Sequence, residues 1–383
     1  MDAPADGSPA CPGDSPYACP VTPVELSRSV LCAVRRAVDE GELAVAVPER
    51  AMVTVPGPGG CGDYATNIAL QLARPAGQPA LRVAEILRPH LAGVRGVADV
   101  VVTGPGFLNI SLGAAAPVAL VEEILRRGER YGYAHGPSAD FVPLSCPREV
   151  RAVVVMDAVA RILRSQGAAV RTRCEAELPS EWADILGVRV DAQPARQHPA
   201  LPHYTVRPVP APVDPLPLGR DAARWALLHP AGHDRPRITD DHLVQRESNP
   251  LFRVRYAHAR TRALSRNAAD LGFHAEPESP GQAGEPSAGA SMEYVHDVHH
   301  LFASLADHPR VLAQSAADRA PDRLARHLVS VADAAASLLP AVLPRGAEKP
   351  SATHRARLAL AEAAGTVLAG GLSLLGIDAP DHL

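Results

Sequence analysis

Lysine is almost missing from this chain: it occurs once, at Lys349. A mobile loop that clamps a triphosphate with paired ammonium groups is therefore excluded. Arginine carries the positive charge, and together with abundant Ala, Pro and Gly this reads as the imprint of a GC-rich genome rather than of a function. Closely spaced cysteines are missing too. Cys11, Cys19, Cys32, Cys61, Cys146 and Cys174 lie far apart, with no histidine partners at ligand spacing. No metal site is expected, and the thiols read as idle in a reducing compartment, which makes the cytoplasm the expected location. No apolar run follows a basic N-terminus, so no secretory signal is read. No uncharged stretch approaches the roughly 20 residues of a membrane span, so no membrane partner is expected. A formal net charge of -4 gives no global field that draws in nucleic acid. No DNA partner is expected, and any RNA contact must come from local patches.

The 383 residues suffice for two or three domains, and 46% apolar content provides for real cores. Residues 1–20 are rich in Pro, Gly, Ser and Asp and read as a disordered tail. Thr22-Pro23-Val24-Glu25 is a capping box with Pro at the first helical position, opening a helix to about Gly41 with Val24, Leu31, Val34 and Val38 on one face. A second helix is expected over Ala80–Leu91, with Leu81, Ala84, Ile86 and Leu87 apolar. Strands are expected over Val97–Thr103 and Phe107–Leu112, joined by the turn Gly104-Pro105-Gly106, and a helix over Pro117–Arg130 follows. Next come a helix from Val150 to about Gln166 and a short strand over Ala169–Arg173. Residues 192–219 are dense in Pro and read as a linker. From about 220 onward the chain reads as helical, interrupted by a disordered insert at Glu276–Ala290.

The stretch Asn249-Pro250-Leu251-Phe252-Arg253-Val254-Arg255-Tyr256-Ala257-His258-Ala259-Arg260 resembles the Asn-Pro-x-x-Tyr-x-x-Tyr-Ala-His-Ala-Arg signature that opens the anticodon-binding helical domain of arginyl-tRNA synthetases. Asp221-Ala222-Ala223-Arg224-Trp225 resembles the Asp-Ala-Leu-Arg-Tyr run for which that domain is named, with Ala223 in place of Leu. Gly62-Asp63-Tyr64 with Asn67, and Gly104-Pro105-Gly106-Phe107-Leu108-Asn109, resemble the family's additional N-terminal domain, which grips the outer corner of tRNA. The resemblance implies Tyr64, Phe107 and Asn109 as RNA contacts. It also implies an α+β multidomain fold: a small α/β domain over 21–135, a Rossmann-type remnant over 136–219, and an all-α anticodon-binding bundle over 220–383.

The residues themselves add a basic helix, read as starting near Thr239 or Asp240. Arg246, Arg253 and Arg260 recur every seven residues as one stripe, and Arg255, Arg262 and Arg266 form a second. Such a helix is a candidate phosphate track, with Tyr256 and His258 placed to stack on unpaired bases. His296, His299 and His300 look metal-like, yet no third ligand is spaced to complete a site, so they read as surface histidines.

The middle departs from the family. Val153 to Leu163 and Val170 to Arg173 resemble the helix and strand that follow the family's ATP-binding His-x-Gly-His turn. Counting back, Cys146-Pro147-Arg148-Glu149 stand where that turn belongs, and no histidine occurs from Gly136 to Gln197. The family's second motif, Lys-Met-Ser-Lys-Ser, needs two lysines. About fifty residues separate Val170 from Asp221, too few for a doubly wound sheet with its crossovers. The expectation is a non-catalytic arginyl-tRNA-synthetase-like protein that binds tRNA or a tRNA-like RNA, with no catalytic residue and no cofactor. The alternatives are an arginine-tRNA ligase using ATP, and a module that has turned to a protein partner.

Overall fold

The computed structural model describes residues 22–57, 59–113, 115–138, 140–191, 204–277 and 292–383, with side chains from 298 onward in the last stretch. The 1–20 tail, part 192–203 of the linker and most of the 276–290 insert lie outside the described residues. The chain divides into two compact units, Met1–Glu123 and Ile124–Leu383.

The first unit starts with α1 (Pro23–Asp39). Thr22 N donates to Glu25 Oε2 at 2.9 Å and Glu25 N donates to Thr22 Oγ1 at 3.3 Å, so the capping box closes as read. The buried stripe is Leu26, Val30, Ala33, Val34 and Ala37, while Val24, Leu31 and Val38 are half-buried. In a helix this rich in small residues, Ala33 and Ala37 carry the inward face and shift its phase. There follow β1 (Val53–Thr54), β2 (Tyr64–Thr66), α2 (Ile68–Ala76), α3 (Ala80–Ala92), β3 (Val97–Thr103) and β4 (Phe107–Leu112). The strands form one antiparallel sheet in the order β1-β2-β4-β3, with Tyr64 and Val100 both opposite Ile110. That register turns Tyr64, Val100, Leu108 and Ile110 into a core shared with Leu26, Val30, Leu87 and Leu91. Leu81, expected inside, is exposed, and Val83 takes its place. α4 (Ala116–Arg127) spans the boundary between the units.

The second unit opens with β5 (Phe141–Cys146), α5 (Val150–Ser165) and β6 (Ala169–Cys174), two parallel strands joined by a helical crossover. After α6 (Ser180–Leu186), β7 (Tyr204–Thr205) pairs with the free edge of β5, giving the parallel order β6-β5-β7. β7 falls in the stretch read as linker; two residues among prolines leave no periodicity to detect. The remainder is helical: α7 (Gly219–Leu228), α8 (Pro250–Asp270), α9 (Met292–Asp318), α10 (Pro321–Ala336) and α11 (Ala352–Leu375). α8 packs on α10 and α11, and α9 on α10. α11 is long and apolar enough, by length and composition, to cross a membrane, contrary to the reading that no stretch approaches a span. Its most apolar window is 83% buried inside the protein, as in the core helix of a bundle. Leu358, Ala361, Val367 and Leu368 lie in that core, and Gly376 ends the helix in a left-handed turn.

Candidate nucleic-acid interface

The N-terminus of α5 follows directly from the Cys146–Glu149 stretch. Glu149 is the capping residue, and its carboxylate accepts from Arg151 N at 3.1 Å, Ala152 N at 2.8 Å and Ala211 N at 3.1 Å. The position where a helix N-terminus would receive an external anion is filled by the chain's own anion. Pro147 supplies no N–H there. Arg148 is spent elsewhere, its Nε donating to Glu177 O at 2.9 Å. Cys146 is buried beside its register partner Cys174. Burial, and then Cys174, push its pKa far above the ordinary thiol value, so it is a protonated thiol and no nucleophile. These groups do not fit the phosphates of ATP.

Two residues on, Arg151 is wholly buried, and its guanidinium makes no ion pair among the described residues. Its five N–H bonds go to the carbonyls of Leu227, Val209, Asp234, Pro230 and Ala231 at 2.6–3.1 Å. The sequence leaves no signal for it, since α5 also carries Arg161 and Arg164.

α8 starts later than the basic pattern suggests. Asn249 Oδ1 accepts from Leu251 N at 3.1 Å, while its amide donates to His242 O and Val244 O, both at 2.9 Å. With Pro250 next, the start is fixed there. Arg246 therefore precedes the helix and does not continue the stripe through Arg253 and Arg260. Four of the arginines pair with acids or C-terminal groups. Arg253 meets Asp333 at 2.7 Å, Arg255 meets Asp221 at 3.4 Å and Arg262 meets Asp381 at 3.1 Å. Arg266 donates to Asp381 O at 3.3 Å. Arg246 and Arg260 are exposed without an ion-pair partner among the described residues. Tyr256 is 51% exposed and stacks on Phe252 at 5.5 Å between ring centroids. His258, expected to stack on a base, is buried, and its Nδ1 lies 3.1 Å from Pro380 O. Desolvation lowers its pKa, so it is neutral and structural. Beside the start of α8 a cavity of about 300 Å³ is bordered by Arg220, Asp221, Phe252, Arg255, Asp378 and Leu383, among others.

In the N-terminal unit, Tyr64 and Asn109 are buried rather than presented to a ligand. Tyr64 faces the core. Asn109 Nδ2 donates to Thr103 Oγ1 at 2.6 Å and to Val101 O at 3.3 Å, bracing the β3-β4 hairpin. Phe107 is 40% exposed beside exposed Val101, so of the three expected contacts it alone faces solvent. His299 and His300 are exposed and belong to no metal-ligand cluster among the described residues; the side chain of His296 lies outside them.

Two family models match the chain: the arginyl tRNA synthetase N-terminal domain over residues 25–112 and the DALR anticodon binding domain over residues 254–383. The chain is arginyl-tRNA synthetase-like. The arginine-tRNA ligase of Renibacterium salmoninarum is 27% identical, covering 95% of this chain and 100% of the relative. That of Frankia alni is 26% identical with the same coverage. The first alignment runs over 563 positions, so a large part of the relative has no counterpart in these 383 residues. Among solved structures, Thermus thermophilus arginyl-tRNA synthetase matches with a TM-score of 0.64 at 15% identity, over 95% of this chain and 100% of that one. The Plasmodium falciparum arginyl-tRNA synthetase matches at 0.65 and 9% identity, over 96% and 100%. At such identities the structural likeness speaks for the fold alone. The arginyl-tRNA-synthetase-like architecture is an α/β N-terminal unit, small sheets and a helical DALR domain.

Proposed function

We propose that this chain is a non-catalytic, arginyl-tRNA-synthetase-like pseudoenzyme that binds tRNA, or an RNA shaped like it, through its helical domain. The observation that carries the reading is the Glu149 carboxylate on the N-terminus of α5. Amino-acid activation needs donors and positive charge on the phosphates of ATP. Here the available N–H groups are already taken, and a triphosphate would meet a carboxylate. Lys349, the single lysine, cannot supply a two-lysine loop. The RNA side rests on α8. Tyr256, exposed and stacked on half-buried Phe252, offers an aromatic surface, Arg260 has no ion-pair partner among the described residues, and the neighbouring cavity has room for an unpaired base. The Arg253–Asp333 and Arg262–Asp381 pairs are half-exposed, so exchanging the carboxylate for a phosphate costs little.

The test is arginine-dependent exchange of pyrophosphate into ATP, alongside binding of bulk tRNA over a salt series. The expected result is no exchange above background, with RNA affinity falling steeply as salt rises. Exchange that depends on arginine would sink the reading in favour of a ligase like the named relatives. A folded chain that holds no RNA would leave the protein-partner alternative.

A further inference from the structure

A cavity of about 810 Å³ opens in the C-terminal unit, walled by Val155, Tyr204, residues 206–208, 228–234 and 318–323, and Arg326. Neither the Cys146–Glu149 stretch nor α8 lines it. Its size lies within the roughly 300–1,000 Å³ of ordinary small-ligand sites. One wall is held rigidly: the carbonyls of Pro230, Ala231 and Asp234 are fastened by buried Arg151.

Another wall is the reversal between α9 and α10. Arg319 N donates to Ala316 O at 3.2 Å and Ala320 N donates to Ser315 O at 3.0 Å, a helix stop that ordinarily takes glycine. Arg319 sits there at φ 52°, and no other non-glycine among the described residues has positive φ. An L-residue in that conformation costs about 1 kcal/mol. What the chain gains is a placed side chain: the guanidinium lies 4.2 Å from the centroid of the Tyr204 ring. Its Nε is buried with no hydrogen-bond partner among the described residues. The neighbouring cations are committed, Arg323 to Asp318 at 2.8 Å and Arg326 to Asp322. Arg207 pairs with Glu175 at 3.4 Å. Among the described residues, Arg319 is the lining arginine without an acid. Tyr204 remains 45% exposed.

We propose that this cavity binds a nucleotide, its base against the face of the Tyr204 ring that Arg319 does not cover and its phosphate on the Arg319 guanidinium. A flat aromatic surface with an adjacent guanidinium suits a base and phosphate together, without regard to base identity. The same chemistry is offered by a free mononucleotide and by an unpaired residue of RNA. The proposal goes beyond the α8 reading and stands without it.

The experiment is calorimetric titration of the full chain with AMP, CMP, GMP and UMP, with a short single-stranded RNA, and with inorganic phosphate as control. Wild type is compared with Arg319→Gly, Tyr204→Leu and the α8 variant Tyr256→Ala. Glycine suits the conformation at 319, so Arg319→Gly folds with an unchanged or higher Tm. Mononucleotide affinity lost about tenfold in Arg319→Gly and Tyr204→Leu, and kept in Tyr256→Ala, supports a free-nucleotide site. RNA binding alone, weakened by Arg319→Gly, supports the RNA source. Equal affinities in wild type and Arg319→Gly, no binding of either ligand class, or phosphate binding as tightly as nucleotide would overturn it. RNA binding lost in Tyr256→Ala but untouched in Arg319→Gly would overturn this site and spare the α8 reading.

Discussion

Arg224 Nη2 lies 2.6 Å from Asp157 Oδ2, with the arginine fully buried. The same guanidinium donates to Leu375 O at 2.7 Å and Leu186 O at 2.9 Å. It thus ties α7 to α5, to the end of α6 and to the end of α11. A Cβ on Gly376, which has φ 71°, would stand 2.5 Å from the Arg224 Cζ. Removing one partner of a buried pair strands the other. Arg224→Ala is expected to lose about 3–5 kcal/mol, towards the lower figure because Arg161 still faces Asp157 at 3.0 Å. Gly376→Ala is expected to destabilise by strain and clash, and less than additively with Arg224→Ala, since the clash vanishes with the guanidinium. Urea unfolding of the three variants measures this; additive losses would contradict the contact.

The junction explains how much the sequence disclosed. Arg224 belongs to the Asp221–Trp225 run that resembles the domain's signature, and its full burial makes it a helix anchor. The capping signals at Thr22 and the strands at Val97 and Phe107 were readable because caps and period-two alternation are local. The start expected near Thr239 or Asp240 opens only a short 3-10 helix, Asp240–Leu243, and α8 itself begins at the Asn249-Pro250 cap. Burial of His258, Asn109 and Tyr64 was not readable. It depends on Pro380, on Thr103 and on the sheet register, partners remote in sequence or set by tertiary packing. The pairing of the α8 arginines with Asp333, Asp221 and Asp381 is equally nonlocal.

Two histidines make stability depend on acid. His308 stacks on His327 at 5.2 Å and on Tyr131 at 5.9 Å, and among the described residues His308 Nδ1 and His327 Nε2 are buried without partners. Desolvation holds His308 well below its ordinary value, helped by His327, and brings His327 to about 4. Well above pH 6.5 neither folded nor unfolded chains protonate them, and their packing stabilises in full. As pH falls from 6.5 towards 4 the unfolded chain takes up protons that the folded one refuses. Stability then drops by up to about 1.4 kcal/mol per pH unit for each histidine. His308→Phe keeps the stack and removes one titration, so its urea midpoint is expected to fall less between pH 7 and 5. Parallel pH profiles for variant and wild type would refute this.

The thiols make a separate prediction. Cys61 is exposed, while Cys146 and Cys174 are buried and Cys146 is held protonated by burial and by Cys174. Iodoacetamide at pH 8 is expected to label Cys61 in the native protein and to reach Cys146 only after denaturation. Peptide mapping of the labelled chain decides it; native labelling of Cys146 would mean that its pocket opens or that its thiol ionises readily.

Side chains of α8 separate contact from scaffold. Tyr256 is exposed and stacked on Phe252, so Tyr256→Ala is expected to cost about 1–3 kcal/mol of RNA binding and little stability. Arg260 has no internal partner among the described residues, so Arg260→Gln is expected to reduce the slope of log affinity against log salt by about 1. Arg253 must leave Asp333 before it can meet a phosphate, so Arg253→Gln is expected to weaken RNA binding less than Arg260→Gln does. His258 lies inside, its Nδ1 close to Pro380 O, so His258→Ala is expected to lower Tm while the folded fraction keeps its salt slope. The measurements are filter binding over a salt series and thermal melts of each variant. A salt slope that changes with His258 and not with Arg260 would place the RNA on another face of the bundle, because burial forbids His258 from meeting a phosphate without local unfolding.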